Sequence, residues 1–489
     1  MTIVGYSMRL CFISSEVFPF SKTGGLADVS GALPKALAKK GVDVCVLTPK
    51  YKSVNKFDLK ELYRASLKIG SRSEEYTLYE YKNSNNHLIY YFIGNDHYFN
   101  RDNLYGEGTQ DYIDNAERFS LFSYAALDIL KKMDFQPDII HTNDWQSALV
   151  NIYLKLYYKN DDFFKNSNTI LTIHNIGYQG IFDKNKMQTL NLPWDIFNID
   201  GIEFYNQINL LKGGIIFADA VTTVSKTYSQ EIQTEEYGAR LDGVLKKFSY
   251  KLSGIVNGLD YDVWNPKTDK FIKFPYDENN ISGKYENKKA LQKELKLDYT
   301  NVPLFGMVSR LASQKGVDLA TAAIEKILKK YTDAEFAILG TGDKELEKKL
   351  KEMAKKYKKK IAAIIGFDEG LAHRIYAGSD FFMMPSKYEP CGLGQMIAYR
   401  YGAIPIVRAT GGLKDTVENY DMVSQKGSGF VFEKYDSSEL FETVLKAKAL
   451  FSRKNEIESL VKKVMRFDYS WDNQATEYIK LYKNVKNGY

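Results

Sequence analysis

Apolar positions in the first fifty residues fall into three successive patterns. Residues 9–14 form a short apolar run, Ser21-Lys22-Thr23-Gly24-Gly25 reads as a turn, and Leu26, Val29, Leu33 and Leu37 then recur at helical spacing. Gly41 is placed to stop that helix, and Val42, Val44, Val46 and Leu47 suit a buried strand. Further strand candidates follow at residues 138–141, 169–173 and 220–224, separated by segments of helix length. This alternation predicts a parallel sheet with crossover helices.

A second series begins near residue 303, with strand candidates at 303–308, 335–339, 361–365, 380–384 and 404–407. Leu346, Leu350, Met353 and Tyr357 mark one face of a helix whose other face is packed with lysines, which reads as a solvated surface. Residues 267–296 between the two series are polar, and the change from one α/β half to the other is expected just before them, near residues 252–258. Two such halves facing each other would leave a deep cleft lined by the loops at the carboxyl ends of the strands.

Composition narrows the class. The 489 residues carry 67 Lys and Arg against 61 Asp and Glu, a net +6, with 44% hydrophobic and 26% charged residues, which excludes a chiefly disordered or collagenous chain. So thin a positive excess gives little support to a nucleic-acid partner and fits a small anionic ligand equally well. No apolar run approaches a membrane span and the amino terminus lacks the pattern of a signal peptide, so no membrane association is expected. Only Cys11, Cys45 and Cys391 occur, without a CxxC pair, which suits a reducing cytoplasm. The 36 Tyr, 28 Phe and 4 Trp bring aromatic content to 14%, either core filler or sugar-stacking surface.

The chemistry-bearing residues sit where strands end. Lys22 with Gly24 and Gly25 lies between the first strand and first helix, a place that favours anions through backbone N–H groups, or else is a turn that needs flexibility. Neither a Walker loop nor a GxGxxG follows the strand. Arg310 and Lys315 occupy the equivalent loop of the second half and offer the paired cations a diphosphate leaving group requires. Glu389, in Pro385-Ser386-Lys387-Tyr388-Glu389-Pro390-Cys391-Gly392, follows an apolar strand and is held between two prolines, where it can stabilise an oxocarbenium-like carbon, bind a sugar hydroxyl, or cap the next helix. Cys391 has no base beside it and reads as packing. Thr410-Gly411-Gly412 is a second candidate anion nest. The motifs beginning at His141 and His174 place His, Asn, Asp and Gln at strand ends, where they are expected to point into the cleft. The five histidines lack metal-ligand spacing.

Together these pieces resemble the bacterial glycogen synthases and plant starch synthases over essentially the whole chain. The resemblance rests on KTGGLADV at 22–29, HTNDWQ at 141–146, HNIGYQG at 174–180, VNGLDYDVWNP at 256–266, SRLASQKG at 309–316, PSKYEPCGLGQ at 385–395 and TGGLKDTV at 410–417. It implies the GT-B fold, two Rossmann-like α/β domains with parallel sheets facing across a deep cleft. The acceptor domain would span 1–252 joined by 468–489, and the nucleotide-sugar domain 253–467. It also implies transfer of glucose from ADP-glucose to the non-reducing 4-hydroxyl of an α-1,4-glucan with retention, releasing ADP, with no metal or other cofactor.

Carried over, Arg310 and Lys315 bind the diphosphate, assisted by Lys22, Gly24 and Gly25, while Glu389 positions the donor glucose. His174 and Asp144 contact sugar near the reaction centre, and Asn257 lies by the sugar. Phe367 falls where relatives commonly stack a Tyr on adenine. Cys391, Gly392, Thr410, Gly411 and Gly412 complete the donor site, and Tyr178 and Gln179 the acceptor site. Two positions depart from related patterns: Ile397 stands where other glycosyltransferases have a second glutamate, and Gly394 where some relatives have Thr. A UDP-glucose-dependent transferase, a sugar-nucleotide epimerase of the same fold and an inactive glucan-binding protein are the competing readings.

Overall fold

A computed structural model describes residues 8–83, 85–108, 110–298 and 300–488. Residues 1–7, on which the signal-peptide expectation partly rests, and residue 489 lie outside the described residues. The chain divides into two compact units: one comprises the residues up to Val224, Ser229–Gly258 and the carboxyl-terminal stretch from Trp471, the other Ser225–Tyr228 and Leu259–Ser470. The junctions therefore fall at 258/259 and 470/471, a few residues beyond the expected 252 and 467.

The first unit is built on a nine-stranded sheet. In spatial order its strands are Leu252–Gly254, Ala220–Thr223, Asn168–Ile173, Ile139–Asn143, Arg9–Ile13, Asp43–Pro49, Leu88–Gly94, Arg72–Tyr81 and Lys60–Ile69. The first seven pair in parallel, so their carboxyl ends lie along one edge. Ile139–Asn143 is buried at every position, as a strand covered by helices on both faces must be. Gly41, at φ +85, ends the helix Gly25–Lys39 in the left-handed region that glycine enters without steric cost.

The last two strands are an antiparallel hairpin that the apolar runs did not reveal. Lys60–Ile69 alternates exposed and half-buried positions, the period-two pattern of a sheet with one wet face, rather than the continuous run of a central strand. The carboxyl-terminal helix Trp471–Lys486 also belongs to this unit. Its Tyr482 hydroxyl lies 2.8 Å from Nδ1 of His141, whose Nε2 is 2.6 Å from the Thr172 hydroxyl. His141 is thus a core residue with both ring nitrogens engaged, not one facing a cleft; burial lowers its pKa to about 3.

The second unit carries a six-stranded parallel sheet in the order Ile361–Ile365, Glu335–Gly340, Leu304–Val308, Phe381–Met384, Ile404–Arg408, Phe430–Phe432. Its helix Lys344–Lys356 buries Leu350 and Met353 and leaves most of its lysines outside. The polar stretch before the sheet is not a plain connector. Within the helix Ser282–Glu294, Lys284 is buried and donates to the carbonyls of Ser379 at 2.8 Å and Tyr401 at 2.9 Å. Lys288 is buried beside it and pairs with Asp380 at 2.6 Å. Burial lowers Lys284 to about 7, and the carbonyl ring offsets part of that desolvation.

Candidate active site

In both sheets the chain runs outward from one strand, then returns to the other side of it. In the first unit this switch falls between Arg9–Ile13 and Ile139–Asn143; in the second, between Leu304–Val308 and Phe381–Met384. Loops leaving neighbouring strands in opposite directions open a crevice at the carboxyl edge, the usual ligand position in open α/β sheets. Lys22 and Asp144 follow the first pair of strands; Lys315 and Glu389 follow the second.

In the first unit, the helix Asp144–Tyr157 starts directly on the strand end, which forces Asp144 to φ +53, a left-handed conformation that costs an Asp about 1 kcal/mol or more. Its carboxylate accepts the His174 backbone N–H at 2.7 Å and is oriented by the next strand's exit loop. Burial pushes its pKa up to about 7, against the pull of the His174 and Asn175 amides. His174 Nε2 lies 2.9 Å from Asn143 Oδ1, and burial holds the imidazole neutral, with a pKa near 3. A carboxyl poised near neutrality beside a neutral imidazole can exchange protons and hydrogen-bond sugar hydroxyls without presenting a fixed charge.

The Lys22–Gly25 loop differs from a bare anion nest. Glu16, buried, accepts Thr23 N–H at 2.5 Å, the Thr23 hydroxyl at 2.6 Å, Gly24 N–H at 3.3 Å and the Tyr105 hydroxyl at 2.8 Å. Lys22 pairs with Asp28 at 2.6 Å on an exposed surface. Glu16 was missed from sequence because a lone acid in a strand-exit loop carries no pattern; its role depends on a loop folding back over it. Asn257 is buried, and its Oδ1 has no hydrogen-bond partner among the described residues. Such an orphaned acceptor is costly and marks a place where a ligand hydroxyl would be welcome.

Tyr178 is exposed, whereas Gln179 is buried with its amide engaged: Nε2 donates to Ile176 and Ala239 carbonyls, both at 3.0 Å, and Oε1 accepts from Asn209 at 2.6 Å. Gln179 therefore holds the loop in shape, and Tyr178 is the side chain it presents.

In the second unit, Lys315 Nζ donates to both oxygens of Glu389, at 2.9 and 2.7 Å, and the Ser386 hydroxyl donates to the same carboxylate at 3.0 Å. The Glu389 side chain is 7% exposed and that of Lys315 21%. Two of the three ammonium protons face Glu389, which leaves one for a ligand oxygen. The loops around the pair are locked by close backbone approach. A Cβ at Gly316, which sits at φ +68, would strike the Pro385 carbonyl, and one at Gly411, at φ +44, would strike that of Glu389. Gly412 N–H donates to the Glu389 carbonyl at 3.1 Å, and a Cβ there would strike the carbonyl of Cys391.

Cys391 is buried packing, and Gly392, at φ +74, accepts Gln395 Nε2 at 2.8 Å. Thr410 is buried at the start of the short helix Gly411–Thr416. Arg408, unanticipated from sequence, donates to the carbonyls of Ser386, Lys387 and Glu433 and anchors the strand end that carries Glu389. Arg310 is exposed, within 3.3 Å of Gln314, and Phe367 is 91% exposed at the sheet's edge strand. Among the described residues no group of three or more His, Cys, Asp or Glu is arranged to hold a metal ion.

Residues 9–247 match the starch synthase catalytic domain family, and residues 288–461 the glycosyl transferases group 1 family. Over 487 residues the chain is 49% identical to the glycogen synthase of Pseudothermotoga lettingae, covering 98% of this chain and 99% of that protein. The chain belongs to the glycogen synthase family. Another member, from Thermotoga maritima, is 45% identical over 487 residues with the same coverage. Among solved structures, the catalytic domain of starch synthase IV from Arabidopsis thaliana bound to ADP and acarbose superposes with a TM-score of 0.89 at 35% identity, over 99% of this chain and 100% of that one. A sucrose-phosphate synthase from Thermosynechococcus elongatus, at 17% identity, TM-score 0.59 and coverage of 99% and 100%, shares the fold.

This glycogen synthase family member is a glycosyltransferase with two α/β units of the GT-B type. No helix among the described residues is long and apolar enough to cross a membrane.

Proposed function

We propose that this chain transfers glucose from ADP-glucose to the non-reducing 4-hydroxyl of an α-1,4-glucan with retention of configuration, releasing ADP in the cytoplasm. The observation that carries the reading is the Lys315–Glu389 pair at the switch point of the second sheet, held by glycine-locked loops. Three buried, unbridged cysteines suit a reducing compartment.

Lys315 and Arg310 take up the charge that develops on the departing diphosphate. Lys22 and the amino terminus of the helix Gly25–Lys39 add to that stabilisation, whereas the Thr410 and Gly412 N–H groups are given to the Arg408 and Glu389 carbonyls and hold the loop in shape. Phe367 offers its open ring face to the adenine. Glu389, fixed by Lys315 and Ser386, orients the donor glucose through its hydroxyls. The acceptor oxygen attacks the anomeric carbon on the face that the phosphate leaves, and its proton passes to the departing phosphate oxygen, so configuration is kept. Asp144 and His174 hold hydroxyls near the reacting carbon. Charge on the leaving group is carried by side-chain cations, so no metal is required.

The test is incorporation of labelled glucose into glycogen from ADP-glucose or UDP-glucose, each with and without chelator. Transfer from ADP-glucose unaffected by chelator is expected. Transfer from UDP-glucose alone would refute the donor assignment, and loss on chelation the metal-independent mechanism.

A further inference from the structure

The hairpin that joins strands Glu203–Phe204 and Gln207–Asn209 turns on two residues, Tyr205 and Asn206, at φ +50 and +63. Both central residues are thus left-handed, the geometry of a type I′ turn, which favours Asn-Gly and strongly disfavours a bulky first residue. A tyrosine occupies that disfavoured place, and its ring is 67% exposed. A second left-handed pair lies beside it: Ala239 and Arg240, at φ +49 and +68, bring the Arg240 guanidinium over the Tyr205 ring, 5.4 Å from its centroid. Strain kept at two touching loops, with Tyr205 packed only edge-on against Phe204 and otherwise left largely open, points from conformation to function.

The position says what the function is. The three-stranded sheet containing this hairpin runs directly into the loop that presents Tyr178: Ile181–Asp183 pairs with Gln207–Asn209, and the Ala239 carbonyl accepts the Gln179 amide. Tyr178, Tyr205 and Arg240 therefore stand on one hydrogen-bonded framework, built on the exit loop that begins at His174. We propose that they form a ledge that binds the α-glucan acceptor chain beyond its reacting end, an inference that rests on the function proposed above. Glucose units alternate apolar C–H faces with hydroxyl rims. Exposed rings meet the first, and the Tyr hydroxyls, the guanidinium and the neighbouring Asn206 amide meet the second. The ledge is continuous with the candidate site rather than an isolated apolar patch, which is what a polymer that threads past a reaction centre requires.

The experiment uses the full chain with Tyr205→Gly, Tyr205→Phe and Arg240→Ala. Initial rates with ADP-glucose are compared for maltoheptaose and glycogen, alongside thermal midpoints and mobility in glycogen-containing native gels. Tyr205→Gly is expected to raise KM for both acceptors about tenfold and weaken gel retardation, with kcat and the ADP-glucose KM within about twofold. Because glycine relieves the turn, its thermal midpoint should equal or exceed that of the wild type. Arg240→Ala and Tyr205→Phe, each of which removes polar contacts and keeps the Tyr205-position ring, should raise acceptor KM less. An unchanged acceptor KM in Tyr205→Gly overturns the ledge, as does a lowered midpoint with kcat falling in step, which would make the ring a structural element. If the wild type transferred no glucose, the function above would fail while the gels still tested the ledge: equal retardation of wild type and Tyr205→Gly would overturn it.

Discussion

Replacing Lys315 by Ala separates two consequences of one ion pair. The mutation removes both N–H donors from the Glu389 carboxylate and leaves it 7% exposed with only the Ser386 hydroxyl as a side-chain donor. Breaking a buried pair by deleting one partner costs about 3–5 kcal/mol. Lys315 is 21% exposed, so water enters its place and the lower end, about 3 kcal/mol, is expected. In a unit of about 200 residues that corresponds to a fall of roughly 6–12 °C in the midpoint of its transition. Glu389→Gln keeps an acceptor for Ser386 and removes the buried charge, so it should cost about 1 kcal/mol. The double variant Lys315→Ala, Glu389→Gln should recover much of the loss, a coupling of about 1–3 kcal/mol in a double-mutant cycle followed by urea unfolding and calorimetry. Turnover behaves differently: each single variant should lose about two to three orders of magnitude in kcat, and the double variant should recover none of it. Additive stability effects, or a Lys315→Ala midpoint equal to the wild type, would refute the claim that the pair is a coupled, desolvated unit.

Other outcomes follow from single observations. Phe367→Ala should raise the ADP-glucose KM without shifting the thermal midpoint, because a ring 91% exposed contributes little to the fold; steady-state kinetics with calorimetry read both. Asp144 titrates near 7 in the fold against 3.8 in the free side chain, so the native state holds its proton more tightly. That contribution, up to about 4 kcal/mol, is fully present below pH 4 and is lost as pH rises towards 7. The stability difference between wild type and Asp144→Asn should therefore move against the wild type over that window, measured by denaturant midpoints at several pH values. Gly411→Ala should abolish activity and destabilise the second unit, since its Cβ would meet the Glu389 carbonyl at φ +44; a soluble variant with wild-type kcat would contradict the close-packed loop arrangement.

Most parallel strands and their strand-end loops were legible along the chain because strands covered on both faces are continuous apolar runs interrupted by Gly-rich turns, although the parallel strands Leu88–Gly94 and Phe430–Phe432 were passed over. That Lys22 and Asp144 in one unit, and Lys315 and Glu389 in the other, each follow a strand end was readable for the same reason. Pattern alone did not reach the hairpin 60–81, whose half-wet strands alternate instead of running apolar. Nor did it separate residues of one type by role. The motifs of His141 and His174 look alike, yet His141 lies within the strand Ile139–Asn143, held between Tyr482 and Thr172, and His174 follows its strand at the carboxyl edge. Glu16 carries no motif, but the loop that folds over it makes it an anchor; Gln179 carries one, but its amide is engaged within its own loop. The polar stretch from residue 267 buries Lys284 against carbonyls contributed by residues 379 and 401.

What the sequence by itself determined was local: periodicity, breaks and the chemical types at each strand exit, all of which depend on neighbours a few positions away. The tertiary structure alone decided which of those groups are desolvated, which partners they meet and which backbone positions are strained. Burial and pairing are set by residues dozens to hundreds of positions distant, as the Lys315–Glu389 pair and the Tyr205–Arg240 contact illustrate.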